Sequence, residues 1–137
     1  MSTHEGKNLP RPTPETQAYW DAAKDHRLLI QQCSDCDTHQ FYPRPHCTQC
    51  GGMNMDWVEA NGSATLVSYS VINRPVSKAY ADDDSAILAL VRLVEGPQMM
   101  TNIVDCDLAD LAIGDALTVV FEDWTDEISM PKFKRTR

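Results

Sequence analysis

No stretch of this sequence is apolar for the roughly 18–20 consecutive residues that a bilayer-spanning helix needs, so no membrane segment is expected. The first eleven residues are polar and contain no apolar core of a secretory signal. Cations are scarce: 12 Lys and Arg stand against 20 Asp and Glu, a net charge of −8. A protein that tracks a phosphate backbone carries a basic face. Here the acids run through the whole chain, with a local run at Asp82, Asp83 and Asp84. There is no glycine-rich phosphate loop, no nucleophile elbow and no H-E-x-x-H helix. The expected compartment is the cytoplasm, where thiols stay reduced and clustered cysteines read as metal ligands before disulfides.

Hydrophobic residues make up 42% and charged residues 23% of the 137, which fits one soluble domain or two small ones sharing a core. Four of the five cysteines form two C-x2-C pairs, Cys33/Cys36 and Cys47/Cys50, with ten residues between the pairs. Two residues between cysteines make a tight turn that aims both sulfurs at one point. Two such turns facing each other supply four thiolates in a tetrahedron, which is zinc's preferred geometry. The expected cofactor is one structural Zn2+, standing in for a hydrophobic core that so short a segment cannot build. A rubredoxin-like iron site and two disulfides are the competing readings. Catalytic zinc is disfavoured because four thiolates leave no open position. His39 and His46 lie in the same segment and are read as surface or packing residues, and Cys106 as a buried structural thiol.

Around this motif the elements fall in order. Thr13 offers a helix N-cap and Pro14 a first helical position, predicting a helix over 14–26 with Tyr19 or Trp20 together with Ala23 as its apolar stripe. Residues 28–30 and 39–43 read as a hairpin around the first cysteine turn. From Asn61 onward strands alternate with turns: 64–72, with Val67, Tyr69 and Val71 on one face; 86–94, a buried run; 98–104; 117–121; and a short final strand, 130–134. Residues 73–85 read as a loop and 105–114 as a short helical turn. Glu122, Asp123, Asp126 and Glu127 around Trp124 read as a solvated acidic turn. The fold class is therefore mainly β: an N-terminal helix, a rubredoxin-like zinc ribbon, then a five-stranded OB-fold barrel. The expected divisions are 1–27, 28–58 and 59–137.

The order of motifs carries a resemblance. A helix with Trp20 leads through Leu28-Leu29-Ile30-Gln31-Gln32 to the first cysteine, and Phe41-Tyr42-Pro43-Arg44 separates the pairs. Trp57, Asn61-Gly62, Leu93-Val94-Glu95-Gly96, Ile113-Gly114-Asp115 and Met130-Pro131-Lys132-Phe133 follow. From about Thr13 to Phe133 the chain resembles the zinc-ribbon/OB-fold family known as DUF35. Asp37 stands where the family often has Gly after the second cysteine, and Asp tolerates the left-handed turn that position needs. Ala64 stands where a second glycine is usual.

The resemblance implies a non-catalytic accessory or scaffold subunit. It would dock on a thiolase-like or other enzyme acting on acyl-CoA thioesters by condensation, acyl transfer or retro-aldol cleavage, and help bind the CoA ester. On that implication Trp20, Phe41 and Tyr42 are candidates to line an apolar channel. Arg44, Arg74, Lys132 and Lys134 are candidates to meet phosphate. No catalytic residue is assigned. Two alternatives stay open: a nucleic-acid-binding zinc-ribbon/OB module, which the acidic balance argues against, and an independent enzyme.

Overall fold

The computed structural model describes residues 9–71 and 87–136. The expected 73–85 loop, and Arg74 with it, lies outside the described residues. Thr13 opens the first turn: its carbonyl accepts from the N–H groups of Thr16 (3.0 Å) and Gln17 (2.8 Å), while its own N–H donates to Thr16 Oγ1 at 2.9 Å. Regular helix begins only after this turn, so α1 spans Gln17–Lys24 and is shorter than the predicted 14–26. It buries Tyr19, Ala22 and Ala23, leaving Trp20 half-buried. The helix ends where His26 turns left-handed (φ 60°), with the His26 N–H returning to the Ala23 carbonyl at 2.8 Å.

The chain then builds a three-stranded antiparallel sheet, in the order β2-β1-β3, from β1 (Leu29–Cys33), β2 (His39–Gln40) and β3 (Met55–Glu59). β2 keeps two residues rather than the predicted five, and β3 was not foreseen as a strand. Gly62 turns the chain into the second sheet. Its φ is +92°, and a Cβ there would sit 2.9 Å from Val119, so both conformation and space require glycine.

The second sheet has five strands in the order β6-β5-β4-β7-β8. They are β4 (Ser63–Val71), β5 (Ile87–Leu93), β6 (Gln98–Asn102), β7 (Ala116–Asp123) and β8 (Ser129–Arg135). The predicted helical turn is a single 3-10 turn, Leu108–Asp110, between β6 and β7. β8 is not short: it pairs with β7 over its full length, from Asp123↔Ser129 to Leu117↔Arg135. A parallel bridge between Ile103 and Phe133 and a Thr101 Oγ1 bond to the Pro131 carbonyl (3.3 Å) draw the β6 and β8 edges together. The result is the nearly closed five-stranded barrel of an OB-fold.

β4 corrects the simple alternation. Ala64 and Leu66 point inward first, a bulge between Leu66 and Ser68 inserts one residue, and half-buried Val67, Tyr69 and Val71 then alternate with exposed Ser68 and Ser70. A bulge bends its strand and increases the twist. Here it falls just past the last β4–β7 pair, at Ser63–Thr65. One apolar core runs through all parts: Tyr19 of α1, Leu28 and Ile30 of the ribbon, and Leu66, Val91, Leu93, Ile103, Leu117 and Phe133 of the barrel.

Candidate functional site

The two cysteine turns are near copies of each other. In the first, the Cys33 N–H donates to the Thr38 carbonyl (2.9 Å) and the Asp37 N–H returns to the Cys33 carbonyl (2.8 Å). In the second, the Cys47 N–H donates to the Gly52 carbonyl (2.7 Å) and the Gly51 N–H returns to the Cys47 carbonyl (2.9 Å). Asp37 and Gly51 hold the equivalent left-handed position, at φ 64° and 77°. The chain thus makes the turn with Asp where glycine is the easier choice.

These turns bring four sulfurs together within 4.8 Å of one another. Sγ of Cys33 lies 3.7 Å from that of Cys50, and Sγ of Cys36 lies 3.6 Å from that of Cys47. A zinc–sulfur bond of about 2.3 Å gives tetrahedral edges of about 3.8 Å. A disulfide would bring sulfurs to about 2.05 Å. The separations therefore fit one four-coordinate zinc. Cys33 and Cys47 are buried, while Cys36 and Cys50 face solvent. Hydrogen bonding to Thr38 pulls the Cys36 thiol down to about 6. The backbone N–H groups of Gln49 and Cys50 donate to Cys47 Sγ at 3.3 and 3.5 Å.

The second cysteine turn is held by two glutamines that the sequence reading passed over. Gln31 and Gln40 face each other across β1 and β2 and are both buried. Gln40 Nε2 donates to Gln31 Oε1 (2.9 Å). Gln31 then clamps Arg44, accepting its N–H at 2.8 Å and donating to its carbonyl at 2.9 Å. Gln40 donates to the His46 carbonyl (3.2 Å) and accepts from the Thr48 N–H and hydroxyl (3.0 and 3.1 Å). Side-chain amides thus replace the backbone ladder beyond β2, which is why that strand stops after two residues. The available signal was a polar residue in line with Leu29 and Cys33 on a strand whose other face buries Ile30. On the other turn, Asn54 ties Asp35 (3.1 Å) and Ser34 (2.9 Å) to the start of β3.

The loop clamped by Gln31 carries Phe41 and Tyr42 to the helix. Phe41 packs edge-on to Tyr19, with centroids 5.6 Å apart, and stacks on Tyr42 at 4.8 Å; Tyr19 meets Trp20 at 4.7 Å. These rings wall a groove of about 290 Å³ whose other side is Met99 and Met100 of β6 and Met130 and Pro131 of β8, with Leu9 and Pro10 at its mouth. Among the described residues, no charged side chain lines it. Tyr42 and Met100 stand 63% and 65% exposed, a large apolar area open to solvent. Burial raises the Tyr19 phenol's pKa, which keeps it neutral in the wall.

The structure gathers Trp20, Phe41 and Tyr42, but not the expected cations. Arg44 is exposed next to the groove without lining it, and Lys134 is exposed near the end of β8. Lys132 is a correction. It is 1% exposed, its ammonium lies 3.1 Å from Glu122 Oε1 and 5.6 Å from the Trp124 ring centroid, and it cannot reach a phosphate at the surface. Glu122 also accepts from Trp124 Nε1 at 3.0 Å. Half of the supposed solvated acidic turn is therefore structural. Cys106 is half-buried rather than buried, and burial raises its thiol.

His26, Asp123 and Ser129 also converge, but the carboxylate stands in the middle. Asp123 Oδ1 takes both the Ser129 hydroxyl and His26 Nε2 (2.7 Å), so the serine proton is aimed at the acid and not at the imidazole. The Ser129 bond and then the His26 bond hold Asp123 below the ordinary carboxylate range.

A four-thiolate ribbon sharing its core with a five-stranded antiparallel barrel defines a zinc-ribbon/OB-fold protein. Residues 20–56 match the family described as "ChsH2, rubredoxin-like zinc ribbon domain" and residues 57–122 match "ChsH2, C-terminal OB-fold domain". A "DUF35 domain-containing scaffold protein" of Methanothermobacter thermautotrophicus is 31% identical over 74% of this chain and 77% of its own length. The chain belongs to the DUF35 family. A solved structure described as "Ltp2-ChsH2(DUF35) aldolase" superposes with a TM-score of 0.82 at 31% identity, covering 93% of this chain and 98% of the other. A "Probable enoyl-CoA hydratase alpha subunit" of Thermomonospora curvata is 35% identical over 91% of this chain, which spans only 39% of that relative's length. No helix among the described residues is long and apolar enough to cross a membrane.

Proposed function

We propose that this chain is a non-catalytic accessory subunit that docks on a thiolase-like enzyme acting on acyl-CoA thioesters and helps enclose the apolar part of the ester. The observation that carries the reading is the uncharged groove. Tyr19, Trp20, Phe41 and Tyr42 converge from the helix and the ribbon on three methionines and a proline of the barrel, and Tyr42 and Met100 among them are largely exposed. Such a surface offers apolar contact and flexible thioethers, and its described lining holds no thiol, imidazole, amine or carboxylate. Relatives described as a scaffold protein, as a probable enoyl-CoA hydratase alpha subunit and as part of an aldolase support an acyl-CoA enzyme as the partner.

In this reading Cys33, Cys36, Cys47 and Cys50 hold the zinc, which ties the two cysteine turns together and takes no part in a reaction. Trp20, Phe41 and Tyr42 make the contact surface. Of the four candidate cations, Arg44 and Lys134 are the exposed described ones left to meet phosphate, and the site of action is the cytoplasm. The test is affinity capture of the tagged chain from native lysate at moderate salt, with mass spectrometry of the bound proteins. A stoichiometric acyl-CoA enzyme lost on Tyr42→Ala with Trp20→Ala supports the proposal. Polymerase components with nucleic acid, or no stoichiometric enzyme, overturn it.

A further inference from the structure

A second groove, of about 810 Å³, lies on the other side of Trp20. One wall is α1, with Gln17, Trp20, Asp21 and Lys24; the other is the turn from β7 to β8, with Asp126, Glu127 and Ile128. Leu9, Pro10 and Pro12 run along it, and Leu9, Pro10 and Trp20 also line the first groove. The two depressions therefore share one edge. Apolar lining comes from Trp20, Ile128 and the prolines, while acids stand on both walls: Asp21 on the helix, Asp126 and Glu127 on the turn. Among the described residues, Lys24 is the only cation in the lining.

These acids are held on ordered backbone. Gln17 Nε2 donates to Asp21 Oδ1 at 2.7 Å. In the turn, Thr125 Oγ1 accepts from the N–H groups of Glu127 (3.0 Å) and Ile128 (2.9 Å), and Trp124 and Thr125 both donate to the Ile128 carbonyl. Acids on both walls, beside the half-buried Trp20 and the edge of the mostly buried Ile128, complement a segment with an apolar ridge and basic flanks. A free polyamine would satisfy the acids but offer nothing to Trp20 and Ile128.

We propose that this groove docks a basic amphipathic segment of a partner protein, with Leu- or Ile-type side chains on Trp20 and Ile128 and Lys or Arg between Asp21 and Asp126/Glu127. Its continuity with the apolar groove makes the two one docking face. The source of the segment rests on the accessory-subunit reading; the complementarity does not, and the test separates them by using a synthetic probe.

The probe is a 14-residue Leu/Lys amphipathic peptide, titrated into the full zinc-loaded chain at low salt and followed by tryptophan emission. The expected result is saturable binding with a blue shift that Trp20→Phe removes. Binding should weaken tenfold or more on raising the salt to about 0.5 M. Asp126→Lys with Glu127→Lys should reduce affinity at least tenfold. Asp107→Lys with Asp110→Lys, the same charge change on exposed acids of the 3-10 turn, should leave it within twofold. Equal loss in both double variants means attraction to the net charge alone and overturns the proposal, as does absence of binding or full displacement by an equal charge of spermine.

Discussion

The ribbon sheet has two five-residue strands and one of two residues, with a pair of glutamines across its β1–β2 pairing. The barrel has strands of five to nine residues around Leu66, Val91, Leu93, Ile103, Leu117 and Phe133, each at most 1% exposed. Burial drives the barrel: at about 25 cal/mol per Å², each such side chain contributes roughly 1.5–3 kcal/mol. The ribbon instead orders its long loops with four thiolates and a closed set of amide hydrogen bonds. An apolar core tolerates swaps of similar volume. A buried polar network fails when one member is removed, because its partners are left unpaired.

This contrast can be broken most sharply at the metal. Chelation, or Cys33→Ser or Cys47→Ser, should unfold the ribbon, since structural zinc supplies on the order of 10 kcal/mol in small ribbons. Metal analysis beside hydrogen exchange should show lost protection at residues 28–59 before the barrel strands. In the barrel, Phe133→Ala should cost about 3–5 kcal/mol in denaturant unfolding, with one zinc per chain still bound in the folded fraction. Gln31→Leu keeps the volume but strands the Arg44 N–H and the Gln40 amide, costing about 1–3 kcal/mol. Its distinguishing readout is faster exchange of the Arg44 and Thr48 amides than in Phe133→Ala at matched stability.

The smallest effect concerns pH. Asp123 is held below its ordinary value, so it contributes stability above the unfolded carboxylate value of about 4 and loses it as pH falls through the lower folded value. Asp123→Asn should therefore lower Tm near neutrality and flatten its fall between about pH 5 and pH 2. An unchanged slope would mean the His26 and Ser129 bonds contribute nothing to folding.

Residue types with local causes were legible in the sequence. The cysteine turns, the succession of barrel strands along the chain and the turn before β7 follow from spacing and turn chemistry, while the left-handed turn at Asp37 came from the family resemblance. Missing were features set by tertiary partners. Lys132 looked available to phosphate because nothing local says that Glu122 and Trp124 will enclose it. β2 looked longer because a side-chain amide can replace a backbone partner without a sequence signal. The β4 bulge hid behind an alternation that was right for its second half alone. Of the candidate contacts, the three aromatics converge because helix and ribbon share a core with the barrel, whereas the cations had been chosen by charge without that geometry.

Gln31 and Gln40 sit between two places with no shared chemistry. One end of their network fixes the backbone leading to Cys47, and the other fixes the loop bearing Phe41 and Tyr42. The aromatic wall is thus anchored to the same loop that the ion closes. A copy of the chain without zinc is therefore expected to lose the anchor of that wall as well, which makes the order of the aromatic surface a reporter of metal loading.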